Sequence, residues 1–255
     1  MIEVQNITKT FDDKQILKGI STTFNPGIVN MVIGTSGSGK TVFMKCLVGL
    51  FQPDSGAILY NKADFTRMSV KEKKQIRTQI GMLFQGSALF DSMTVEENVL
   101  FPLNMFTNMT YKEKMTRVDF CLERVNLVGA NKKYPGEISG GMMKRVGIAR
   151  SIVLNPKYLF CDEPNSGLDP QTALLIDQLI KEITEEYQMT TIMNTHDMNS
   201  VIGVGGKIVF LHKGNKEWEG TNHEILTSDN QILNDFIFAS EFLKQIRHGA
   251  TKPKT

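Results

Sequence analysis

The sequence has few cysteines and no long hydrophobic run. Its three cysteines, Cys46, Cys121 and Cys161, are odd in number and widely spaced among 255 residues. This pattern excludes a disulfide scaffold and favours reduced thiols in a cytosolic protein. The longer apolar stretches, such as residues 28–33 and 57–60, are far shorter than the roughly 18 residues that a membrane-spanning helix needs.

An excess of charge of one sign is also missing. Charged residues make up 22% of the chain, hydrophobic residues make up 41%, and the net charge is +2. The near-neutral balance gives no argument for a nucleic-acid partner, and the ordinary composition excludes a disordered chain. Residues 1–5 have no basic start, so we expect no secretory signal. The length predicts one large domain, or one domain with a sub-domain.

Short apolar runs alternate with longer helical patterns along the chain. This alternation predicts an α/β fold with a parallel sheet wrapped by helices. Residues 91–155 contain no convincing strand, and we interpret them as a helical insert between two parts of the sheet. The predicted strands are residues 1–5, 17–24, 28–33, 57–60, 80–84, 158–162, 190–194 and 207–212.

Apolar periodicity and capping residues predict several helices. Residues 111–125 have apolar side chains at i, i+3, i+4 and i+7, which is typical of an amphipathic helix. Asp169 is typical of an N-cap, with Pro170 at the first helical position. Another helix is predicted from about residue 141 to residue 153. The apolar stripe of the helix after Pro170 is predicted to be Leu175, Leu179 and Ile183.

A glycine-rich loop lies between an apolar run and a helical pattern. Residues 34–41 read GTSGSGKT and match the pattern G-x-x-x-x-G-K-[S/T]. Glycines let successive backbone N–H groups point at phosphate oxygens, and the following helix adds its positive end. Lys40 is expected to reach the β- and γ-phosphates, and Thr41 to hold Mg²⁺. The alternative is a chance glycine-rich turn, but only about 0.02 matches are expected by chance.

Two adjacent acids end the apolar run at residues 158–163. Asp162 can bind Mg²⁺, and Glu163 can polarise a water for in-line attack on a phosphate. An acidic surface turn is the alternative, which the phosphate loop makes minor. His196 and Gln85 each follow a predicted strand. Both are candidate γ-phosphate contacts, and Gln85 is also a candidate Mg²⁺ ligand, although a single glutamine is a weak signal. A structural hydrogen bond is the alternative for His196.

A further motif precedes the two acids. Residues 138–145 read ISGGMMKR, which resembles the LSGGQ signature of ATP-binding-cassette (ABC) ATPases. The order of the motifs is also similar to that family. A phosphate loop, a glutamine loop at Gln85, a helical insert, the signature and Asp162–Glu163 follow one another. A D-loop at residues 166–169 and a switch histidine at His196 come after them, and the resemblance covers about residues 1–227.

The resemblance implies a P-loop NTPase core, in which a mixed or parallel sheet has helices on both faces. It also implies a small antiparallel β sub-domain and a helical sub-domain at about residues 91–155. The ATPase domain would comprise residues 1–227, and residues 228–255 would be a C-terminal helical extension and tail.

The same resemblance implies a homodimer in which each ATP lies between the phosphate loop of one subunit and the signature of the other. Glu163, His196 and Gln85 would be catalytic, and Thr41, Gln85 and Asp162 would hold Mg²⁺. Phe11 stands where the family has an aromatic residue that stacks on adenine. The implied ATP-binding residues are Phe11, Gly34, Thr35, Ser36, Gly37, Ser38, Gly39, Lys40, Thr41, Val42, Ser139, Gly140, Gly141 and Asp169.

Three positions depart from the family pattern. Met142 replaces the usual signature glutamine and cannot make the same hydrogen bonds. Ile138 replaces the usual leucine. Gly205–Gly206 stands where an aspartate is common, and nothing in the sequence explains that change.

The Met142 variant, together with residues 84–90 and 94–99, resembles a narrower group. These are the ATPase subunits of MCE-linked transporters of the Mla type, which move phospholipids. Their resemblance implies a separate membrane permease, an MCE-domain protein and a small regulatory subunit. It places the chain at the cytoplasmic face of the inner membrane. A groove around residues 85–106, with Phe90, Phe101 and Phe106, would receive a coupling helix, although a core role for these aromatics is the alternative.

The C-terminal apolar pattern at residues 231–246 includes Leu233, Phe236, Ile237, Phe242 and Ile246. In the resembled group, such an extension helps to hold the dimer and the regulatory subunit; plain packing on the core is the alternative.

Other functions remain open at this point. The family also includes transport of other substrates and soluble assembly or cell-envelope ATPases. DNA repair and translation members usually carry long coiled coils or two cassettes, and this chain shows neither.

Overall fold

The computed structural model describes residues 1–238 of the chain. Within that range it contains strands at ten places along the sequence. The strands are β1 (Ile2–Phe11), β2 (Lys14–Phe24), β3 (Val29–Ile33), β4 (Ser55–Tyr60), β5 (Ala63–Asp64), β6 (Ile80–Leu83), β7 (Tyr158–Asp162), β8 (Thr190–Asn194), β9 (Lys207–His212) and β10 (Asn215–Gly220).

Helices connect most of these strands. Short 3₁₀ turns at Pro135–Glu137 and Ile225–Thr227 supplement them. The α-helices of the described range are α1 (Lys40–Leu47), α2 (Val70–Arg77), α3 (Val95–Phe106), α4 (Tyr111–Arg124), α5 (Gly140–Ile152), α6 (Pro170–Glu186), α7 (Met198–Val204) and α8 (Gln231–Ile237).

The larger sheet is mixed and has the strand order β10-β9-β3-β8-β7-β6. The pairs from β9 through β6 are parallel, and β10 joins β9 as an antiparallel edge. Because parallel strands end at the same edge of a sheet, the segments that follow the five parallel strands meet there, and four of these segments carry motif residues. These four follow β3, β6, β7 and β8. In the same order they carry the phosphate loop, Gln85, Glu163 and His196, and Asp162 is the last residue of β7.

The smaller sheet is antiparallel and has the order β2-β1-β4-β5. Helix α1 packs between the two sheets through buried Phe43, Met44 and Leu47. Phe43 meets Phe24 at a ring-centroid distance of 6.1 Å, and the Tyr60 hydroxyl donates to the Leu47 carbonyl at 2.8 Å. Helix α1, which the phosphate loop precedes, therefore shares one buried apolar cluster with strands of both sheets.

Residues 91–155 form a helical insert without a strand. Thr94 and Thr110 are N-caps of α3 and α4, and each is part of a capping box with the glutamate three residues later. Helix α5 runs from this insert back to the main sheet and packs on β6. The insert and the larger sheet consequently share one buried apolar cluster.

The structure confirms all eight predicted strands and the N-cap role of Asp169. The prediction for the α6 stripe is wrong at Leu175, whose side chain is exposed. The buried face of α6 instead starts with Ala173 and continues through Ile176 and Ile180, because the helix presents positions three and four apart to the core. The strands β5 and β10 were not predicted.

Helix α8, the last helix within the described residues, packs on the sheet edge that β10 forms. Leu233 and Ile237 are buried, and Phe236 stacks on Phe210 with ring centroids 5.2 Å apart. This matches the packing alternative for the first part of the predicted apolar segment. Phe242 and Ile246 lie outside the described residues.

The three cysteines are free and buried. Burial raises the pKa of the Cys46 and Cys121 thiols to about 11 and also raises the pKa of Cys161. Among residues 1–238, no helix has both the length and the apolar character needed to cross a membrane.

The contact between β6 and α5 leaves no room for a side chain at Gly81. A Cβ atom there would lie 2.2 Å from the Ser151 carbonyl oxygen. Gly81→Ala should therefore destabilise the fold by about 1–3 kcal/mol through overpacking, measured as the free energy of unfolding in urea. The matched control is Gly203→Ala in α7, where a Cβ meets no atom within 4 Å. Equal stability of the two variants would contradict this account of the contact.

Candidate functional site

The loop between β3 and α1 has a backbone that only glycine adopts easily at several positions. Gly34, Gly37 and Gly39 have φ angles of 150°, 75° and 107°. Gly34 also lacks space for a side chain, since a Cβ atom would lie 2.3 Å from the Leu211 carbonyl oxygen on β9. The loop path therefore depends on glycine for both torsion and packing.

Lys40 is buried at the first position of α1. Its ammonium donates to the carbonyl oxygens of Gly34 and Thr35 at 2.7 and 3.1 Å. Burial lowers the pKa of Lys40, and the negative charges of Glu163 and Asp162 oppose that shift. The loop thus encloses a cation that has neutral carbonyls rather than a carboxylate as hydrogen-bond partners, which suits a phosphate ligand.

A cavity of about 720 Å³ opens beside this loop. The Ser38 hydroxyl is buried and finds no hydrogen-bond partner within residues 1–238. Thr41, in the first turn of α1, is exposed. The residues present therefore fit a magnesium-bound polyphosphate. The cavity lining comprises Lys14, Ile16, Ser36, Gly37, Gly39, Lys40, Thr41, Val42, Gln85, Glu163 and His196.

Glu163, in the loop after β7, contacts side chains of the loops after β6 and β8. The Gln85 side-chain amide donates to Glu163 Oε2 at 3.1 Å, and His196 Nδ1 lies 3.1 Å from Oε1. The backbone N–H of Glu163 donates to the Asn194 carbonyl at 3.0 Å, and its φ is 47°. A left-handed glutamate is strained. The structure thus holds this carboxylate at the cavity wall between an amide and an imidazole.

Asp162 ends β7 and pairs in register with Asn194 of β8. The Asn194 side-chain amide donates to Asp162 Oδ1 at 3.0 Å. The carboxylate is half-buried at the carboxyl edge of the sheet. Asp162 is therefore fixed next to Glu163 but does not line the described cavity.

The signature residues begin α5 on another face. Ser139 is the N-cap, and its hydroxyl accepts from the Met142 N–H at 3.3 Å. A Cβ atom at Gly141 would lie 2.7 Å from Thr172 Cγ2, so α5 starts close to the first turn of α6. Ser139, Gly140 and Gly141 lie outside the lining of the described cavity.

Asp169 caps α6 in the same region. Its carboxylate accepts from the Thr172 N–H at 2.9 Å, and the hydrogen bonds from Thr172 lower its pKa. Like the signature residues, Asp169 does not line the described cavity. The structure thus groups the predicted residues into one set around the cavity and a second set at the starts of α5 and α6.

Phe11 is not part of the cavity lining, although it pairs in register with Lys14, which is. It packs edge-on against Phe51 with ring centroids 5.2 Å apart, and the Lys9 ammonium lies 5.2 Å from its ring. The side chains that do line the cavity near β2 are Lys14 and Ile16. No motif marked these two residues, because each is a single position without a sequence pattern of its own.

Comparison with known proteins supports a family assignment. Residues 17–166 match the family described as ABC transporter. The chain is 40% identical over 236 residues to a probable ribonucleotide transport ATP-binding protein mkl from Mycobacterium leprae, covering 92% of this chain and 68% of that protein. It is 34% identical over 256 residues to protein TRIGALACTOSYLDIACYLGLYCEROL 3 from Arabidopsis thaliana, covering 94% and 74%.

A solved structure agrees with these relatives. The post-hydrolysis dimer of the ATP-binding cassette MJ0796 with ADP and Pi superposes with a TM-score of 0.78 at 30% identity, covering 87% of this chain and 99% of that one. The fold prediction of a P-loop ATPase core with a mixed sheet, an antiparallel sheet and helices is confirmed. The chain therefore belongs to the ABC transporter family, as an ATPase cassette that binds ATP with Mg²⁺.

Proposed function

We propose that this chain is the ATP-hydrolysing subunit of a transporter that moves phospholipids through a separate permease. The observation that carries the catalytic part is the Glu163 carboxylate, which is held at the cavity wall by Gln85 and His196, each at 3.1 Å. A carboxylate in that position can take a proton from an attacking water.

The neighbouring side chains have complementary roles in this proposal. Lys40 binds the β- and γ-phosphates, and His196 contacts the γ-phosphate from the end of β8. Thr41, Gln85 and Asp162 would hold Mg²⁺. Gln85 donates through its amide nitrogen to Glu163, which leaves its carbonyl oxygen, an atom type that Mg²⁺ prefers. Bound Mg²⁺ would neutralise charge on the phosphate oxygens.

The position of the signature residues favours a homodimer. Ser139, Gly140, Gly141 and Asp169 lie outside their own subunit's cavity lining, and the α5 N-terminus offers N–H groups to an anion. In a two-fold dimer each phosphate loop would face the partner's signature, which gives two composite ATP sites. The MJ0796 structure is described as dimeric, which supports this arrangement.

A groove next to Gln85 is the proposed permease contact. It has a volume of about 440 Å³ and includes Phe90, Phe101 and Phe106. Arg150 also lines it and donates to the carbonyls of Ser87 and Ala88 at 2.6 and 2.9 Å. A permease segment in the groove would thus contact an arginine that holds the backbone just after Gln85.

The cargo is the finer part of the proposal. The Arabidopsis relative has a galactolipid in its name, and the Met142 signature resembles MCE-linked ATPases. We place the chain at the cytoplasmic face of the inner membrane, with an MCE-domain protein and a small regulatory subunit as further partners. The mycobacterial relative is named for ribonucleotide transport, so transport of another substrate is the second candidate.

Glu163→Gln should lower the rate of ATP hydrolysis by about 10²–10⁴-fold, because the amide cannot accept the proton of water. ATP binding should persist, and gel filtration with ATP should show a stable dimer. Glu123→Gln on α4 changes an exposed carboxylate in the helical insert and is the matched control. Undiminished phosphate release by Glu163→Gln would remove Glu163 from its proposed role.

Lys40→Ala should weaken nucleotide binding itself. Loss of a charge-assisted hydrogen bond costs about 1.5–3 kcal/mol, or about 10–150-fold in Kd, measured by titration calorimetry with ATP and Mg²⁺. Lys45→Ala removes a cation from the last turn of the same helix, outside the cavity lining, and should bind normally. Equal affinities of the two variants would argue against the phosphate role of Lys40.

Affinity purification from native membranes should recover a multi-span permease and a single-span MCE protein with this chain. Phe106→Asp should reduce that recovery, because it places a charge in the apolar groove. Phe120→Asp is the matched control, since Phe120 is similarly exposed on α4 (43% against 48%). Recovery of a permease without an MCE protein would favour the second candidate, and recovery of a soluble assembly partner alone would contradict both.

A further inference from the structure

Three buried polar side chains meet beneath the loop that follows Glu163. The Asn165 amide donates to Ser200 Oγ at 2.7 Å and to Asp177 Oδ2 at 3.3 Å. The exposed fractions are 8% for Asn165, 2% for Asp177 and 1% for Ser200. Their hydrogen bonds are therefore shielded from water, where breaking one costs most.

These side chains come from three separate elements. Asn165 begins the loop that ends at the α6 cap Asp169, and it lies two residues after Glu163. Asp177 is on the buried face of α6, and Ser200 is on α7. The N-cap of α7 is Asp197, which directly follows His196. The cluster thus connects the loop that follows Glu163 with helix α7, which follows His196.

Burying the Asp177 carboxyl group at this position costs folding free energy. Its Oδ1 has no hydrogen-bond partner in the described part of the chain, and no ion pair involves Asp177 there. Burial raises the pKa of Asp177 to about 6, and the nearby charge of Asp197 adds to the rise, while hydrogen bonds from Ser200 and Asn165 oppose it. The negative charge of Asp177 in turn contributes to the raised pKa of Cys161 on β7, after the larger effect of burial. An apolar side chain would cost the fold less.

We propose that Asp177 is a positioning residue that, through Asn165 and Ser200, ties the loop at residues 165–169 to the turn that carries His196. The inference rests on the proposed roles of Glu163, His196 and Asp169. Leu168 of this loop approaches the signature turn, where a Cβ atom at Gly140 would lie 3.7 Å from Leu168 Cδ2. A displacement at the starts of α5 and α6 is therefore passed to His196, and through it to the Glu163 carboxylate.

The first test compares two substitutions of Asp177, one that removes its acceptor oxygens and one that keeps an acceptor. Asp177→Leu keeps the branched shape but removes the acceptor oxygens, so kcat for ATP hydrolysis should fall about tenfold or more, with little change in KM. Asp177→Asn keeps an acceptor and should restore most of the rate. Asn199→Ala, on the exposed side of α7, is the control and should match the wild type.

Thermal unfolding separates positioning from a merely structural role. The folded pKa of Asp177 lies above its unfolded value of 3.8, so stability is lost as the pH rises through about 6. Asp177→Leu should therefore lose less Tm than the wild type between pH 4 and pH 8, because the variant has no buried carboxyl group to ionise. A lower Tm together with the lower kcat, unrescued by Asp177→Asn, would overturn the proposal.

Hydrogen exchange tests the coupling without relying on catalysis. In the full chain without nucleotide, Ser200→Ala should increase amide exchange at residues 165–169 as well as at 197–201, by about tenfold. Asp177→Leu should do the same, and the double variant should add little to either change. Exchange that rises only at the altered element would overturn the inference.

Different results would refute the proposed roles of the site residues and the proposed positioning role of Asp177. Normal hydrolysis by Glu163→Gln would refute the site roles and leave the exchange result intact. Normal kcat in both Asp177→Leu and Ser200→Ala, with Glu163→Gln inactive, would refute the positioning role alone.

Discussion

The parallel pairing of β3, β8, β7 and β6 is the constraint on which the rest of the molecule depends. Each of these strands ends at the same edge, so the phosphate loop, Asp162–Glu163, His196 and Gln85 converge there although they are far apart in sequence. Neighbouring strands lie about 4.8 Å apart. The 3.1 Å contacts of Glu163 with residues of the two neighbouring loops follow from that spacing.

The convergence also concentrates opposite charges in one place. Lys40 is buried among carbonyl oxygens, while Glu163 and Asp162 are near enough to oppose the lowering of its pKa. The left-handed backbone at Glu163 is the strained element of this arrangement. Asn194 of β8 contacts both acids. Its side-chain amide donates to Asp162, and its backbone carbonyl accepts from the Glu163 N–H, which stabilises the strained backbone at Glu163.

The sequence could predict the parallel strands of the larger sheet, because apolar runs such as residues 190–194 are buried on both faces. It could also single out Glu163, since two acids after a buried strand need a partner. It could not predict that Leu175 faces outward, because helix period alone leaves the rotation of α6 undetermined. The contact of Phe11 with Phe51 and the cavity-lining role of Lys14 depend on tertiary packing between β1, β2 and the segment after α1.

The buried cysteines described with the fold have a chemical consequence. With a pKa of about 11 for Cys46 and Cys121, about one thiol in ten thousand is ionised at neutral pH, and the thiolate is the reactive form. Alkylating reagents and peroxide therefore encounter almost no nucleophile while the core is closed. Cys161 is adjacent to Asp162 in β7. The rate at which a thiol reagent labels Cys161 would therefore report how often the strand that ends in the acidic pair separates from the sheet.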